Sequence, residues 1–219
     1  MAASESKGKR AWIFANGTMD SPREIRGWLE EGDLLIAVDG GSRHLAALGL
    51  SPDLLVGDLD SITPDLLGRY ERQGMEMLRH PVEKNETDLE LSLEIAFQRR
   101  WKEIRILGAT GGRLDHTLGN FGLLFDPRLR GMDVRIVDAR FEALAIWDEA
   151  EIRGKAGDLL SLIPVQGNAV GVWTEGLYYP LHHETLYPYK TRGISNQFLG
   201  ERARIGLAAG QLLCIHTRV

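Results

Sequence analysis

The sequence predicts an α/β N-terminal domain with a mainly parallel sheet flanked by helices, followed by a small all-β, sandwich-like C-terminal domain. Up to about residue 138, short apolar runs alternate with helical segments, which is typical of a parallel sheet covered by helices on both faces. Beyond that point helix signals are scarce, and short apolar runs are separated by Gly, Pro and polar turns. We therefore predict a flexible tail at 1–10, the α/β domain at 11–139 and the β domain at 140–219.

Six apolar runs in the α/β domain are predicted to be strands: 12–15, 34–38, 54–56, 75–78, 104–107 and 134–137. Helices are predicted between them, over 21–30, 42–48, 63–73, 87–100 and 115–124. Ser21 and Thr87 each stand three residues before a Glu, which is the pattern of a capping box, and Thr63 is expected to cap a third helix. In the β domain the clearest strands are 159–163, 169–173 and 212–216.

The composition is that of an ordinary globular protein, with 43% hydrophobic and 26% charged residues among 219. A formal net charge of -5 and a pI near 5.7 argue against a nucleic-acid binder held by phosphate contacts. Cys214 is the one cysteine, so we expect no disulfide within the chain, no cysteine-based metal site and a reducing, cytoplasmic setting. Residues 1–10 lack the apolar core of a secretory signal, and no apolar run approaches the roughly 18 residues of a membrane span.

Acidic residues follow the predicted strands at the points where parallel sheets bind ligands, beyond the carboxyl ends of the strands. Asp39 directly follows the second strand, and Asp58 and Asp60 follow the third with one residue between them. Asp88 lies at the helix start after the fourth strand, and Asp115 follows the glycine loop after the fifth. Each alone fits a turn or a helix N-terminus. Their shared edge of the sheet favours a common site.

Carboxylates gathered in one cleft repel each other unless a cation lies between them, and oxygen ligands suit magnesium. The loop 108–112 supplies a complement, because glycine lets backbone N–H groups approach phosphate oxygens. Arg113 and Lys84 either balance a phosphate chain or are solvated surface charges, and His116 is either a core histidine or a catalytic one. No side chain stands out as a general base, so the residues indicate a magnesium and phosphate site without one.

Six short motifs resemble, in order, those of thiamin pyrophosphokinases. They are AVDGG at 37–41, GDLDSI at 57–62, NETD at 85–88, GATGGRLD at 108–115, TEGLYYPL at 174–181 and GISN at 193–196. Any one of them is unspecific, whereas six in the order of the family are specific. The resemblance covers nearly the whole chain beyond the tail.

The resemblance implies an α/β catalytic domain that binds ATP and Mg²⁺, a β-sandwich domain that binds thiamin, and a homodimer with its active site across the subunit interface. The β,γ-diphosphoryl group of ATP would move in one step to the hydroxyethyl oxygen of thiamin, giving thiamin diphosphate and AMP. By position, Asp58, Asp60 and Asp88 would bind magnesium, and Arg113 and Asp115 would join them in the catalytic cleft. The residues implied to bind ATP are Asp39, Gly40, Gly41, Lys84, Asn85, Thr87, Gly108, Thr110, Gly111 and Gly112.

On the thiamin side, the resemblance places Ser195 and Asn196 near the substrate and Tyr179 as a stacking platform. Thiamin joins a flat pyrimidine to a cationic thiazolium, and an aromatic face attracts both. Animal members of the family have Trp where Tyr179 stands, and Tyr offers a smaller face. Without the resemblance, the Tyr178 and Tyr179 pair also fits ordinary sheet packing.

Three other functions fit parts of the sequence. A pyrophosphokinase for another hydroxymethyl heterocycle, such as a pterin, would share the cleft and differ in its β-domain contacts. A phosphatase of the haloacid dehalogenase type would use Asp58 as its nucleophile, but that chemistry prefers Thr or Val where Ile62 stands. A non-catalytic module that senses nucleotide or thiamin has little use for so many acidic residues.

Overall fold

The structure is a computed structural model that describes residues 10–59, 62–80 and 85–219. Two predicted site residues, Asp60 and Lys84, lie outside the described residues, as do residues 1–9 of the predicted tail. The chain divides into two compact units, Met1–Ala139 and Arg140–Val219. The predicted fold class is confirmed, because the first unit has a parallel sheet with helices and the second has antiparallel strands.

Among the described residues, the first unit contains six strands: β1 (Arg10–Phe14), β2 (Leu34–Val38), β3 (Leu54–Gly57), β4 (Glu76–Arg79), β5 (Glu103–Leu107) and β6 (Asp133–Val137). They lie in the order β6-β5-β1-β2-β3-β4, and all five neighbouring pairs are parallel. Strands β1 to β4 therefore follow one another in one direction across the sheet, whereas β5 lies on the other side of β1 and β6 follows it in the opposite direction. This reversal makes the boundary between β1 and β5 a topological switch point, where open α/β sheets bind ligands.

The helices of the first unit are α1 (Pro22–Trp28), α2 (Ser42–Ala47), α3 (Pro64–Arg72), α4 (Asp88–Gln98) and α5 (Leu114–Leu123), with short 3₁₀ turns at Asp39–Gly41 and Pro127–Leu129. Ile25, Leu45 and Tyr70 of α1 to α3 are buried against side chains that point to one face of the sheet, including Phe14 and Leu55. Helix α4 lies against β2 and β3. Strands covered in this way need apolar residues on both faces, which explains their continuous apolar runs.

The predicted side-chain cap of α1 by Ser21 is wrong, whereas the predicted cap of α4 by Thr87 is confirmed. Ser21 has a left-handed backbone (φ 50°, ψ 57°) and makes no side-chain cap, because an N-cap needs an extended backbone to turn its oxygen to the helix. Thr63 has the extended backbone but also makes no side-chain cap. The Thr87 hydroxyl accepts a hydrogen bond from the Glu90 backbone N–H at 3.2 Å.

Arg10, predicted to end the tail, instead begins β1. Its guanidinium lies 2.7 Å from the Asp33 carboxylate and also donates to the Trp28 carbonyl oxygen. Asp33 also accepts from the Trp12 indole N–H at 2.9 Å. These contacts anchor the start of the sheet to the segment after α1.

The second unit contains β7 (Phe141–Ile146), β8 (Glu149–Arg153), β9 (Leu159–Pro164), β10 (Ala169–Glu175), β11 (Glu184–Leu186), β12 (Asn196–Gln197), β13 (Arg202–Gly206) and β14 (Leu212–Thr217). They form two antiparallel groups, β12-β9-β14-β7 and β11-β10-β13-β8. Both groups contribute to one apolar core that includes Leu162, Val172, Ile205 and Leu212. Apolar side chains from two facing sheets are the mark of a sandwich.

None of the helices described in either unit is long and apolar enough to cross a membrane.

A histidine between two carboxylates is buried in the second unit. His216 of β14 is 2% exposed, and its Nδ1 lies 3.2 Å from Glu142 Oε1 while its Nε2 lies 2.8 Å from Asp158 Oδ2. A neutral imidazole donates from one nitrogen only, so both contacts are satisfied when the ring is protonated. Burial lowers the pKa of His216, but the two carboxylates outweigh it and raise the pKa above its ordinary value.

Asp158 has the opposite shift. Burial raises its pKa, but hydrogen bonds from His216 and from the backbone N–H groups of Lys155 and Val219 outweigh this and lower the pKa. The stabilisation from His216 is therefore complete below pH 6.5, its ordinary pKa, and is lost as the pH rises through the raised pKa. The stabilisation from Asp158 is present above its ordinary pKa of 3.8 and is lost as the pH falls through the lowered pKa.

We predict that the midpoint of thermal unfolding is highest between about pH 4 and 6.5 and falls as the pH rises to 9. His216→Gln should lower the midpoint at pH 6 and flatten the decline at higher pH, because the titrating group is gone. His182→Gln, which changes an exposed histidine, is the matched control and should keep the wild-type profile. An unchanged slope in His216→Gln would mean that another group controls the decline.

Candidate active site

The loops after β1 and β5 are hydrogen-bonded to each other at the switch point. The Gly17 N–H donates to the Gly108 carbonyl at 2.7 Å, and the Thr18 N–H donates to the Thr110 carbonyl at 2.7 Å. A Cβ atom on Gly17 would overlap both carbonyl oxygens, so only glycine permits this approach. The two loops therefore form one continuous floor at the carboxyl edge of the sheet.

These contacts leave the loop 108–112 suited to an anion. The carbonyl between those of Gly108 and Thr110, that of Ala109, accepts a hydrogen bond from the Asn120 side-chain amide of α5 at 2.7 Å. Carbonyl oxygens repel phosphate oxygens, so donors that bind the carbonyls of 108, 109 and 110 remove a source of repulsion. Backbone N–H groups and the N-terminus of α5 supply the attraction that an anion needs.

The loop after β1 is also fixed by α2. Arg43 donates to the carbonyls of Asn16 (2.7 Å) and Gly17 (3.0 Å), and His44 Nε2 lies 2.9 Å from the Gly17 carbonyl oxygen. Burial lowers the pKa of His44 more than the hydrogen bond to Gly17 raises it. A neutral His44 therefore donates its Nε2–H to Gly17 at physiological pH, and the loop position does not depend on a charge there.

A cavity of about 510 Å³ opens above this floor. The residues that line it are Ala15, Asn16, Gly17, Val38, Asp39, Glu86, Thr87, Asp88, Leu89, Gly108, Ala109, Thr110, Gly111, Gly112, Arg113, His116, Thr117 and Asn120. Eight predicted site residues are among them: Asp39, Thr87, Asp88, Gly108, Thr110, Gly111, Gly112 and Arg113. The structure thus brings residues from the ends of β2 and β5 and the starts of α4 and α5 to one place.

Several predicted site residues in the described part of the chain do not line this cavity: Gly40, Gly41, Asp58, Asn85 and Asp115. Gly40 and Gly41 are buried in the turn after β2, where they pack against Asn16 and Phe14. Asp58 is half-buried directly after β3, and Asn85 is exposed ahead of α4. A role for these residues at the cavity stays a prediction.

Asp115 binds Arg113 in the first turn of α5, with Oδ2 and Nη2 2.5 Å apart. The hydrogen bond from Arg113 lowers the pKa of Asp115, and the reverse contact raises the pKa of Arg113, so both groups are charged at neutral pH. Both side chains are more than half exposed. Asp115 therefore restrains an arginine that lines the cavity.

Asp39 and Asp88 are the aspartates that line the cavity in the described part of the chain. The Asp39 carboxylate lies against Gly57, where a Cβ atom would overlap Asp39 Oδ1. Gly57 also has φ +140°, a backbone that favours glycine. Gly57 thus brings the end of β3, and with it Asp58, close to the acidic residue that follows β2.

The donor set of the cavity fits magnesium in its chemistry. The described residues contain no group of three or more His, Cys, Asp or Glu that could hold a metal by themselves. Magnesium is usually bound by one or two carboxylates together with substrate phosphates and water. Two aspartates that line the same cavity as the glycine loop match that pattern.

Five polar or glycine residues of the lining were not named as site residues by the sequence analysis: Asn16, Gly17, Glu86, Thr117 and Asn120. Thr117 and Asn120 follow Arg113 by four and seven residues, so the helical period puts all three on one face of α5. That spacing could have indicated Thr117 and Asn120 from the sequence, and the position of the Asn-Gly pair directly after the first strand could have indicated Asn16 and Gly17. Glu86 lies inside the NETD motif at 85–88, but the sequence analysis gave it no role of its own.

The residues predicted to bind thiamin lie in the second unit. Tyr179 is 57% exposed and stands edge-on to Tyr178, with ring centroids 4.8 Å apart. Ser195 has a left-handed backbone (φ 56°), and its N–H donates to the Ser161 hydroxyl at 3.0 Å. Asn196 is buried at 8% exposure, and its side chain hydrogen-bonds the Tyr179 backbone. An exposed aromatic face held on a fixed loop is suited to a flat ligand.

An open parallel sheet with an aspartate-lined cavity at its switch point is the arrangement of α/β proteins that bind ligands at this edge of the sheet, and here an antiparallel β unit follows it in the chain. Residues 25–136 match the catalytic domain of thiamin pyrophosphokinase, and residues 149–212 match the vitamin B1 binding domain of thiamin pyrophosphokinase. The chain belongs to the thiamin pyrophosphokinase family. The resemblance inferred from the six motifs is therefore confirmed.

Individual relatives agree with this assignment. Thiamine pyrophosphokinase of Bacillus subtilis (strain 168) is 30% identical over 208 residues, which cover 94% of this chain and 97% of the relative. A crystal structure of thiamine pyrophosphokinase from Bacillus subtilis has a TM-score of 0.86 at 28% identity, covering 96% of this chain and 100% of that one. The crystal structure of thiamin pyrophosphokinase from Geobacillus thermodenitrificans has a TM-score of 0.82 at 26% identity, and the match covers 95% of this chain and 97% of that one.

We predict that Gly57→Ala destabilises the protein more than Gly167→Ala. Gly167 has a similar backbone (φ +128°) but open space around it, so alanine there costs only the strain of the backbone, about 1–3 kcal/mol. Alanine at 57 adds the overlap with Asp39. Urea unfolding of both variants checks this, and equal losses in the free energy of unfolding would show that the contact of Gly57 with Asp39 is unimportant.

Proposed function

We propose that this chain is an ATP-dependent thiamin pyrophosphokinase. The thiamin hydroxyl oxygen attacks the β-phosphorus of ATP, the bond from that phosphorus to the α,β-bridging oxygen breaks, and AMP leaves while the hydroxyl proton is released. The products are thiamin diphosphate and AMP. The main observation in support is the cavity at the switch point, where an anion-suited loop and two aspartates meet in a chain that matches both domains of the family.

The first unit would bind the phosphate chain of ATP. Gly111, Gly112 and Arg113 line the cavity, and their backbone N–H groups and the Arg113 guanidinium would bind anionic oxygens. Diphosphoryl transfer resembles other phosphoryl transfers, in which positioning and charge neutralisation matter more than a strong base. Arg113 would stabilise the charge that develops on the transferred group, with Asp115 restraining its side chain.

Asp58, Asp60 and Asp88 would hold magnesium, with Asp39 beside them. Of these, Asp88 and Asp39 line the cavity, which supports their part of the assignment. Magnesium bound there would neutralise phosphate oxygens and orient the chain for attack. Asp39 and Asp88 would otherwise repel the phosphates, so their carboxylates fit a cation better than they fit the nucleotide alone.

The second unit would bind thiamin, with Tyr179 stacking on it and Ser195 nearby. The exposed ring of Tyr179 supports this role, since thiamin offers both a flat ring and a cationic ring to an aromatic face. The pterin pyrophosphokinase, the phosphatase and the non-catalytic module are not favoured, because both halves of the chain match one family. A cytoplasmic location stays a prediction that rests on the single cysteine, Cys214.

Phosphorus NMR of the protein incubated with ATP, thiamin and magnesium tests the reaction. We expect signals of AMP and thiamin diphosphate to grow together. Formation of ADP would indicate transfer of a single phosphoryl group, free phosphate would indicate a phosphatase, and no change would indicate a binding module. Any of these three results contradicts the proposal.

Asp88→Asn should lower kcat by about 10²–10³-fold while leaving the fold intact, because it removes a charge that faces the phosphate chain and not a core contact. Asp65→Asn is the matched control, since Asp65 also lies in the first turn of a helix but outside the cavity. Both variants lose the same favourable charge at a helix N-terminus. Equal activities of the two variants would exclude Asp88 from the site.

We also propose that the chain is a homodimer that uses α5 at its interface. No residue of α5 is buried, although Leu114 and Leu118 are apolar and 68% and 63% exposed. Together with Phe121 they lie four and seven residues apart, which puts them on one face of the helix. The face of α5 that lines the cavity is separate, so a partner on the apolar face would leave Arg113 and Asn120 in place.

Leu118→Glu should convert the protein to a monomer in size-exclusion chromatography with light scattering, because a charge would be buried at the interface. Leu199→Glu is the control: Leu199 is 60% exposed but belongs to the second unit. A wild-type protein that is monomeric at micromolar concentration would overturn the dimer.

A further inference from the structure

Asn196 makes hydrogen bonds to both polar backbone groups of Tyr179, a residue 17 positions earlier. Its Oδ1 accepts from the Tyr179 N–H at 2.9 Å, and its Nδ2 donates to the Tyr179 carbonyl at 2.7 Å. Oδ1 also accepts from the N–H of Gln197 at 2.9 Å. The amide of Asn196 therefore pairs with the peptide groups of Tyr179 as a neighbouring strand would.

This pairing continues a series of backbone hydrogen bonds that ends at Tyr178, one residue before Tyr179. The N–H of Tyr178 donates to the Gln197 carbonyl at 2.8 Å, and the N–H of Leu199 donates to the Gly176 carbonyl at 3.0 Å. Asn196 itself is paired with Leu160 of β9 through the backbone. The side chain of Asn196 thus connects the Tyr179 backbone to a strand inside the sandwich.

These contacts leave Asn196 poorly placed to bind a ligand directly. Its side chain is buried, and three of its hydrogen-bonding positions are occupied by the backbone. Tyr179, in contrast, is 57% exposed as a residue while hydrogen bonds fix its backbone. Loss of the Asn196 amide would remove this partner from three backbone groups, the N–H and carbonyl of Tyr179 and the N–H of Gln197, and would free the Tyr179 peptide to rotate.

We infer that Asn196 is a positioning residue that acts on thiamin through Tyr179, holding the aromatic ring in its binding orientation. This inference rests on the proposed function for the identity of the ligand. A direct contact of Asn196 with the substrate would not need Tyr179. A positioning role does, because Asn196 then affects thiamin only through the Tyr179 ring.

A double-mutant cycle separates the two roles. We expect Tyr179→Ala to raise the KM for thiamin by about 5- to 150-fold, the range for loss of one stacked ring. Asn196→Ala should raise it by about fivefold or more, with the KM for ATP changed less than about twofold. In the double variant the KM for thiamin should equal that of Tyr179→Ala alone, since Asn196 has nothing left to position.

Two further variants control for folding and for the strand. Asn196→Asp keeps an acceptor for the Tyr179 N–H but loses the donor to its carbonyl, so it should give a smaller rise than Asn196→Ala. Gln197→Ala changes the next residue of β12, whose side chain donates to the Gly157 carbonyl and not to Tyr179, and should leave the KM for thiamin unchanged. A KM in the double variant that equals the product of both single effects would overturn the inference.

A measurement made without substrate distinguishes a wrong inference about Asn196 from a wrong proposed function. In protein labelled with 3-fluorotyrosine, we expect the fluorine signal of Tyr179 to narrow and move toward that of an unstructured tyrosine in Asn196→Asp and Asn196→Ala. An unchanged signal would overturn the positioning role even in an active enzyme. A wild-type protein that makes no thiamin diphosphate but shows the fluorine change would instead overturn the proposed function and, with it, the thiamin part of the inference.

Discussion

The close approach of the loops after β1 and β5 is the constraint on which the site depends. Gly17 contacts the carbonyls of Gly108 and Thr110 so closely that a side chain would not fit, and both carbonyls accept hydrogen bonds from the loop after β1. The switch point of a parallel sheet supplies the space for a ligand. The hydrogen bonds between the two loops occupy the carbonyls of Gly108 and Thr110, so the surface that borders this space is suited to an anion.

The elements around this floor each supply one kind of group. Helix α5 provides Arg113 at its start and Asn120 about two turns further along the same face, helix α4 provides Asp88, and the end of β2 provides Asp39. Cationic, neutral and acidic groups therefore approach one cavity from separate elements. A phosphate chain accompanied by a divalent cation needs this mixture, because its oxygens require donors on one side and a cation on the other.

The second unit uses a different kind of support for a ligand. Tyr179 and Ser195 lie on connections between antiparallel strands and Asn196 begins β12, and side-chain to backbone hydrogen bonds hold these connections in place. Loops that are anchored in this way combine an exposed surface with a fixed backbone. The buried His216 between Glu142 and Asp158 stabilises the same unit, so the folding of this unit is linked to pH.

Much of the fold and part of the site followed from the sequence. Alternating strands and helices dictate that the residues after each strand share one edge, which is why Asp39, Asp88 and the glycine loop were found. Features that depend on long-range geometry were not predictable. The left-handed backbone of Ser21 removed an expected cap, Arg10 joined the sheet through Asp33, and the Asn196 amide serves Tyr179 from 17 residues away.

The most direct test of the central claim is an NMR titration of the nitrogen-15-labelled protein with magnesium and α,β-methylene-ATP, an analogue that cannot transfer its diphosphoryl group. If the floor formed by the β1 and β5 loops binds the phosphate chain, the amide signals of Gly17, Gly111 and Gly112 shift and saturate together. Saturable binding that leaves these three amides unchanged would contradict the account, because the phosphates would then lie elsewhere.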